Sequence, residues 1–101
     1  MPFLQKMVRG KVKDVVLLPY GTIRVGRAEG NDVLLTAAAA SKSHAIIYCC
    51  ETHSEVKDLD SRNGTLVNGI RIKSSKRLRH RDILEFAGAT YIYLETEPEV
   101  D

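Results

Sequence analysis

The chain has 101 residues, with 15 Lys or Arg against 13 Asp or Glu and a formal net charge of +2. This length predicts a single domain spanning 1–101, and a 44% hydrophobic content excludes a wholly disordered chain. The charge balance is too mild to imply a nucleic-acid ligand by itself. The chain has neither an apolar run long enough for a membrane span nor the start of a signal peptide, so we expect an intracellular protein without a membrane partner.

The predicted elements are short strands closed by turn residues, without helical periodicity. The run HAIIYCC is apolar on both faces, which indicates a central strand. The alanines of TAAAAS are too few to nucleate a helix, so we expect a loop there. An all-β sandwich or barrel follows from ten such segments, which in chain order are FLQKMV, VVLL, TIRV, DVLL, HAIIYCC, SEVKDL, TLVN, IRI, DILEF and TYIYLE.

The two cysteines, Cys49 and Cys50, are adjacent in the sequence. Neighbouring residues of a strand point to opposite faces, so a disulfide between these two would be strained. We therefore expect two reduced thiols, as in intracellular proteins.

The segment DLDSRNGTLVNG, residues 58–69, contains two Asn-Gly pairs. Asn-Gly favours tight turns, which predicts two hairpin turns around the short strand TLV. Turns alone do not require Ser61, Arg62 and Asn63, which crowd a hydroxyl, a cation and an amide into one exposed loop. A calcium loop is excluded because Arg62 stands at the fifth position and Gly69 stands where a bidentate Glu is needed.

The segment SKSH raises the question whether Ser41 and His44 form a catalytic pair. The sequence has no nucleophile-elbow pattern, and the three scattered histidines and the Cys pair lack metal-ligand spacing. Gly26-Arg27 after a predicted strand lacks the Lys-Ser/Thr of a phosphate-binding P-loop. We therefore expect no catalytic residue, no metal and no cofactor.

The order of these segments is more specific than any one of them. Gly26-Arg27, then NDVLL, SKSHA, DLDSRNGTLVNG and DILEF together resemble the forkhead-associated (FHA) domain, with a match from about residue 22 to residue 95. The resemblance implies an eleven-stranded β-sandwich that binds phosphothreonine peptides through loops at one end. It leaves residues 96–101 as a tail that we expect to fray.

The resemblance also implies roles for individual residues. The residues expected to contact a threonine-phosphorylated partner are Arg27, Ser41, Lys42, Arg62 and Asn63. Those expected to support the site are Gly26, His44, Gly64, Thr65 and Asn68. The chain departs from the family pattern at Arg81 and Ala87, which stand where glycine is usual, so those turns are expected to differ in backbone conformation.

The implied function is a non-enzymatic module for signalling that recruits phosphorylated partners. Such a module can sit inside a larger protein, and we expect it in the nucleus or cytoplasm with a slight preference for the nucleus. One alternative is nucleic-acid or acidic-surface binding through 71–81, which holds six Lys or Arg residues and His80. This segment lacks interleaved aromatic residues, and a solvated hairpin that protects a sheet edge explains it equally well. A second alternative is a degenerate FHA domain that serves only as a dimerisation or interaction surface.

Overall fold

Eleven short strands form two stacked β-sheets. The structure is a computed structural model that describes residues 1–96. The strands are β1 Phe3–Val8, β2 Lys11–Leu17, β3 Gly21–Gly26, β4 Val33–Leu34, β5 Ala45–Cys49, β6 Ser54–Asp58, β7 Thr65–Val67, β8 Ile70–Arg71, β9 Ser75–Arg77, β10 Ile83–Phe86 and β11 Ala89–Leu94. The predicted eleven-stranded sandwich is confirmed, while the expected frayed tail lies almost wholly outside the described residues.

The six-stranded sheet has the order β2-β1-β11-β10-β7-β8, and the five-stranded sheet has the order β4-β3-β5-β6-β9. All pairings are antiparallel except the parallel contact between β3 and β4. The central position predicted for HAIIYCC is confirmed, because β5 lies third of five. Strands β2 and β8 are the opposite edges of the larger sheet.

The core lies between the two sheets. One sheet contributes Leu4, Leu84 and Phe86, and the other contributes Ile47 and Val56; all five are fully buried. Their inward positions follow from the alternation of side chains along each strand, which sends every second residue to the same face. The apolar alternation in the sequence therefore determines which faces of the strands pack in the core. The loops between the strands do not form this core and are available to bind a ligand.

Two details of the predicted strands are corrected. Strand β2 begins at Lys11, four residues before the predicted run VVLL, because it pairs along the whole of β1. Strand β9 was not predicted, since all three of its residues are exposed and polar and show no alternation. It forms because the edge of β6 is available for pairing. The predicted loop over TAAAAS is confirmed.

The two Asn-Gly pairs behave differently. Asn68 and Gly69 have φ of 52° and 81° and join β7 to β8 as the predicted hairpin turn. The first pair does not form a hairpin, because β6 and β7 belong to different sheets. The loop 59–64 instead crosses between the sheets, and Gly64 takes φ 80° within it. This crossing brings residues 61–63 to the end of the sandwich.

Both cysteines are free thiols, and they differ in environment. Burial raises the pKa of the Cys49 thiol, which is 1% exposed. Cys50 lies just beyond the end of β5, where hydrogen bonds involving Thr52 and His53 lower its pKa. The predicted opposite orientation of two neighbouring residues explains the difference.

The two turns that lack the usual glycine keep a glycine-like backbone. Arg81 has φ 75° and Ala87 has φ 50°, both in the left-handed region. Both residues thus adopt a conformation that glycine adopts readily. Side chains with a Cβ occupy that region at a cost of roughly 1–2 kcal/mol, so these positions carry local strain.

We expect Arg81→Gly to raise the free energy of unfolding by about 0.5–1 kcal/mol, because relief of strain exceeds the added freedom of the unfolded chain. The matched control is Arg79→Gly, which removes the same exposed charge from a residue outside the left-handed region. That control should lose about 1 kcal/mol. Urea unfolding measures both, and equal destabilisation by the two changes would contradict the strain at Arg81.

Candidate functional site

Three loops meet at one end of the sandwich. They are 27–32 after β3, 35–44 before β5, and 59–64 after β6. The register explains their meeting, because Val25 pairs with Ala45, and Ala45 pairs with Asp58. The end of β3, the start of β5 and the end of β6 therefore lie side by side.

The segment 39–41 connects the three loops. The side chain of Asn63 donates from Nδ2 to the carbonyl oxygen of Ala39 at 2.7 Å. Arg27 donates from Nε to the carbonyl of Ala40 at 3.0 Å. The main-chain N–H of Arg62 donates to Oγ of Ser41 at 2.9 Å. A guanidinium, a hydroxyl and a carboxamide, distant in sequence, thus lie along three consecutive residues.

Each of these three groups keeps hydrogen-bonding capacity. The Arg27 side chain uses only Nε in the hydrogen bonds described for residues 1–96, so the N–H groups of both terminal nitrogens are left for a ligand. The Ser41 hydroxyl accepts from Arg62 and retains its own proton to donate. Asn63 retains Oδ1 and one N–H. Together they present donors suited to an anionic group with several acceptor oxygens.

The contributions of Lys42 and Arg62 to this cluster are main-chain ones. The carbonyl of Lys42 accepts from the main-chain N–H of Ala28 at 3.2 Å and from Asn31 Nδ2 at 2.9 Å. The side chains of both Lys42 and Arg62 are exposed. They add positive charge at this end without a fixed contact to the other three groups.

Gly26 lets two loops approach each other closely. A Cβ at Gly26 would lie 2.1 Å from the Lys42 carbonyl oxygen and 2.8 Å from Asn31 Nδ2. Any larger residue would separate the loop 27–32 from the loop 35–44. Asn31 was not among the predicted site residues, although its position just before the run DVLL is visible in the sequence.

His44 connects the other pair of loops from within the core. It is fully buried, and its ring packs edge-on against Phe86 with centroids 5.8 Å apart. Nδ1 accepts from the Ser41 main-chain N–H at 3.2 Å, and Nε2 lies 2.8 Å from the Gly64 carbonyl oxygen. An N–H can only donate and a carbonyl can only accept, so the ring is neutral with its proton on Nε2. His44 therefore does not act as a base on the Ser41 hydroxyl.

Asp58 organises the loop 59–64. Its Oδ1 accepts from the hydroxyls of Ser61 at 2.6 Å and Thr65 at 2.8 Å, and its Oδ2 accepts from the Ser61 main-chain N–H at 3.1 Å. Burial acts to raise the pKa of Asp58, but the hydrogen bonds from Ser61 and Thr65 outweigh it and hold the pKa below its usual range. Asp58 opens the segment for which a calcium loop was excluded, and the sequence did not suggest this role.

The support residues lie at different distances from this cluster. Thr65 is fully buried and binds Asp58, and Gly64 binds His44. Asn68 lies at the β7–β8 turn, where Nδ2 donates to Asp82 and Oδ1 accepts from the Ile83 main-chain N–H. These contacts of Asn68 join the β7–β8 turn to the start of β10 and do not involve the three loops of the site. The side chain of Arg71, which was not predicted, packs over Gly64.

Two further properties bear on function. No group of three His, Cys, Asp or Glu side chains among residues 1–96 is arranged to hold a metal ion. The same residues include no helix with the length and apolar character to span a membrane.

This geometry identifies a class of protein. The family model of the FHA domain matches residues 23–87, and the chain belongs to that family. It is 39% identical over 65 residues to the transcriptional regulatory protein EmbR of Mycobacterium tuberculosis, covering 64% of this chain and 17% of EmbR. It is 40% identical over 58 residues to an ABC transporter ATP-binding/permease protein of the same organism, covering 57% and 7% of the two chains.

Solved structures agree with the assignment. The structure of M. tuberculosis EmbR in complex with a low affinity phosphopeptide superposes with a TM-score of 0.89 and 26% identity, covering 99% of this chain and 26% of EmbR. The solution structure of an FHA domain from Arabidopsis thaliana has a TM-score of 0.82 and 26% identity, covering 99% and 89%. The chain spans only a small part of the curated relatives it matches.

The relatives bear on one earlier expectation. The sequence relatives named above come from a bacterium, which has no nucleus. The expected preference for a nuclear location is therefore not supported.

We expect His44→Ala to lower the free energy of unfolding by about 2–4 kcal/mol, because it leaves the Ser41 N–H and the Gly64 carbonyl without partners. The control is His80→Ala, an exposed histidine whose Nδ1 accepts from the Glu95 main-chain N–H. That control should cost less than 1 kcal/mol. Urea unfolding distinguishes them, and a similar cost for both would show that His44 does not brace the loops.

The lowered pKa of Asp58 predicts a pH dependence. Its carboxylate contributes stability above the unfolded pKa of about 4, and this contribution is lost as pH falls through the lower folded pKa. Asp58→Asn should therefore be less stable near pH 7 and lose less additional stability on acidification. Thermal unfolding midpoints from pH 7 to pH 2 measure this. Asp60→Asn is the control, since Asp60 is exposed, and an acid dependence equal in the two variants would refute the prediction.

Proposed function

We propose that this chain is a non-enzymatic interaction module that binds a phosphothreonine-containing segment of a partner protein. The single observation that carries the proposal is the alignment of Arg27, Ser41 and Asn63 along residues 39–41, each with hydrogen-bonding groups left for a ligand. A phosphate ester brings a charge of about −1.5 to −2 and three acceptor oxygens near neutral pH. The three groups, held by main-chain contacts, match those needs.

In the proposed complex, some residues bind the phosphate and others bind the peptide main chain. The terminal nitrogens of Arg27 and the hydroxyl of Ser41 bind phosphate oxygens, and Asn63 holds the peptide main chain through its free amide groups. Lys42 and Arg62 add cations that reach the phosphate from exposed positions. Hydrogen bonds to charged groups contribute roughly 1.5–3 kcal/mol each, so two of them suffice to separate phosphorylated from unphosphorylated ligands.

The supporting residues act on the loops. Gly26 permits close approach of two loops, and His44 links the loop 35–44 to the loop 59–64 through the Gly64 carbonyl. Thr65 holds Asp58, which organises the loop 59–64. The relative EmbR supports the proposed class of ligand, because its structure holds a phosphopeptide. The small share of each relative that the chain covers agrees with a module carried in a longer protein. We propose an intracellular, cytoplasmic setting, in line with the bacterial relatives.

The test is the affinity for phosphothreonine peptides drawn from a degenerate library, with unphosphorylated peptides of the same sequences as controls. We expect Arg27→Ala and Ser41→Ala each to weaken binding at least tenfold, since each removes a charge-assisted hydrogen bond worth about 1.5 kcal/mol or more. Isothermal titration calorimetry gives the dissociation constants, and circular dichroism verifies that the variants fold.

The matched control is Arg24→Ala, which removes another exposed arginine, from strand β3 just before the loop 27–32. Arg24 lies beside Asp32, with Nε 3.9 Å from Oδ2, and outside the cluster. Its removal should change affinity less than threefold. Equal weakening by Arg24→Ala and Arg27→Ala would mean that only the net positive charge matters. Equal affinity for phosphorylated and unphosphorylated peptides would contradict the proposal.

A further inference from the structure

A row of exposed cations lies beside the proposed phosphate site. It consists of Lys57 on β6, Arg71 on β8, Lys73 in the following turn, and Lys76 on β9, and is here called the basic strip. Strands β6 and β9 belong to the five-stranded sheet and β8 belongs to the six-stranded sheet. The basic strip therefore crosses the gap between the sheets, and it accounts for part of the basic segment 71–81.

Arg71 joins the strip to the proposed site. A Cβ built on Gly64 would lie 2.4 Å from Arg71 Nε and 2.8 Å from Cζ, so the guanidinium covers the backbone of Gly64. Gly64 directly follows Asn63, which is proposed to hold the main chain of the ligand. A ligand that reaches Asn63 therefore comes next to the positive charge of Arg71.

Two neighbouring cavities give the strip its shape. One of about 570 Å³ is lined by three strip cations, Lys57, Arg71 and Lys73, and by Asp58 and Asp60. The other, of about 330 Å³, is lined by Arg71, Lys73 and Lys76 and by no carboxylate. Arg71 and Lys73 line both cavities, so the two adjoin along residues 71–73 and are together called the groove here.

The charge of the groove is not neutralised from within. The ion pairs found in the described part of the chain are Arg24–Asp32 and His53–Glu55, and neither involves the basic strip. Asp58 directs both carboxylate oxygens to Ser61 and Thr65. Four cations thus lie beside two carboxylates, which leaves an excess of positive charge, and the groove attracts anions.

We propose that the basic strip is a second anion subsite, which binds a carboxylate or a second phosphate on a residue flanking the phosphothreonine of the same ligand. This inference rests on the proposed function. Charge complementarity and continuity with Asn63 through Gly64 favour this occupant. A single-stranded nucleic acid fits less well, because no aromatic side chain lines either cavity to stack a base.

The experiment starts from the tightest-binding library peptide that has no acidic residue besides its phosphothreonine. Single glutamates are then introduced at each of the four positions on either side. We expect at least one position where glutamate tightens binding about threefold or more, as for a favourable exposed ion pair. That gain should disappear in the double variant K73Q/K76Q, which leaves Arg71 and its contact with Gly64 intact. R71Q should also remove it.

The matched control is K11Q/K13Q, which removes two exposed lysines from β2, the opposite edge of the larger sheet. This variant has the same net charge as K73Q/K76Q and should keep the gain from glutamate. Replacing that glutamate by a second phosphothreonine distinguishes the two ligand sources. A larger gain identifies phosphate as the preferred group, and an equal or smaller gain identifies carboxylate.

Several outcomes would overturn the inference. One is that the phosphothreonine peptide binds but glutamate helps at no position; another is that the gain survives in K73Q/K76Q. A third is that an oligonucleotide binds wild type but not K73Q/K76Q while glutamate has no effect, which would assign the strip to nucleic acid. If no phosphothreonine peptide binds the wild type at all, the proposed function itself fails, and this inference falls with it.

Discussion

One buried imidazole holds together the end of the sandwich on which function depends. His44 accepts from the Ser41 main-chain N–H and approaches the Gly64 carbonyl from the other side, so it fixes two loops from a single ring. Because the ring is fully buried, both of its nitrogens need partners, and these loops supply them. The exposed side chains of Arg27 and Asn63 are then positioned by their hydrogen bonds to the 35–44 loop. The surface loops are thereby fixed to the core.

Much of this fold can be predicted from the sequence, because the signals that determine its strands and turns are local. Strand alternation and turn chemistry are local, and the ordered set from Gly26-Arg27 to DILEF limits the fold to one family. The edge strand β9 escapes such reasoning, because its residues are exposed and its pairing depends on a strand some twenty positions earlier. The left-handed backbone at Arg81 and Ala87 escapes it too, since neither residue type favours that conformation.

The candidate site, like the fold, has features that the sequence predicts and features that it does not predict. The groups that face a ligand are recognisable by type, because the guanidinium, the hydroxyl and the carboxamide stand in the ordered segments Gly26-Arg27, SKSH and DLDSRNGTLVNG. The contacts that hold them are not, because they join main-chain atoms of residues distant in sequence. Asp58 with Ser61 and Thr65, and Arg71 over Gly64, depend on the crossing of the loop 59–64 from one sheet to the other. A hairpin between β6 and β7, which the sequence predicted, would not have placed these residues in contact, so neither contact could be predicted.

Strand β5 separates the binding loops from the native thiols. His44 precedes the strand and Cys50 follows it, and six residues at about 3.3 Å each put roughly 20 Å between them. Cys49 points into the core, where burial raises the pKa of its thiol, whereas Cys50 is partly exposed and has a lowered pKa. A maleimide dye would therefore attach to Cys50 in the unmodified sequence and give a fluorescent reporter at the far pole of the molecule.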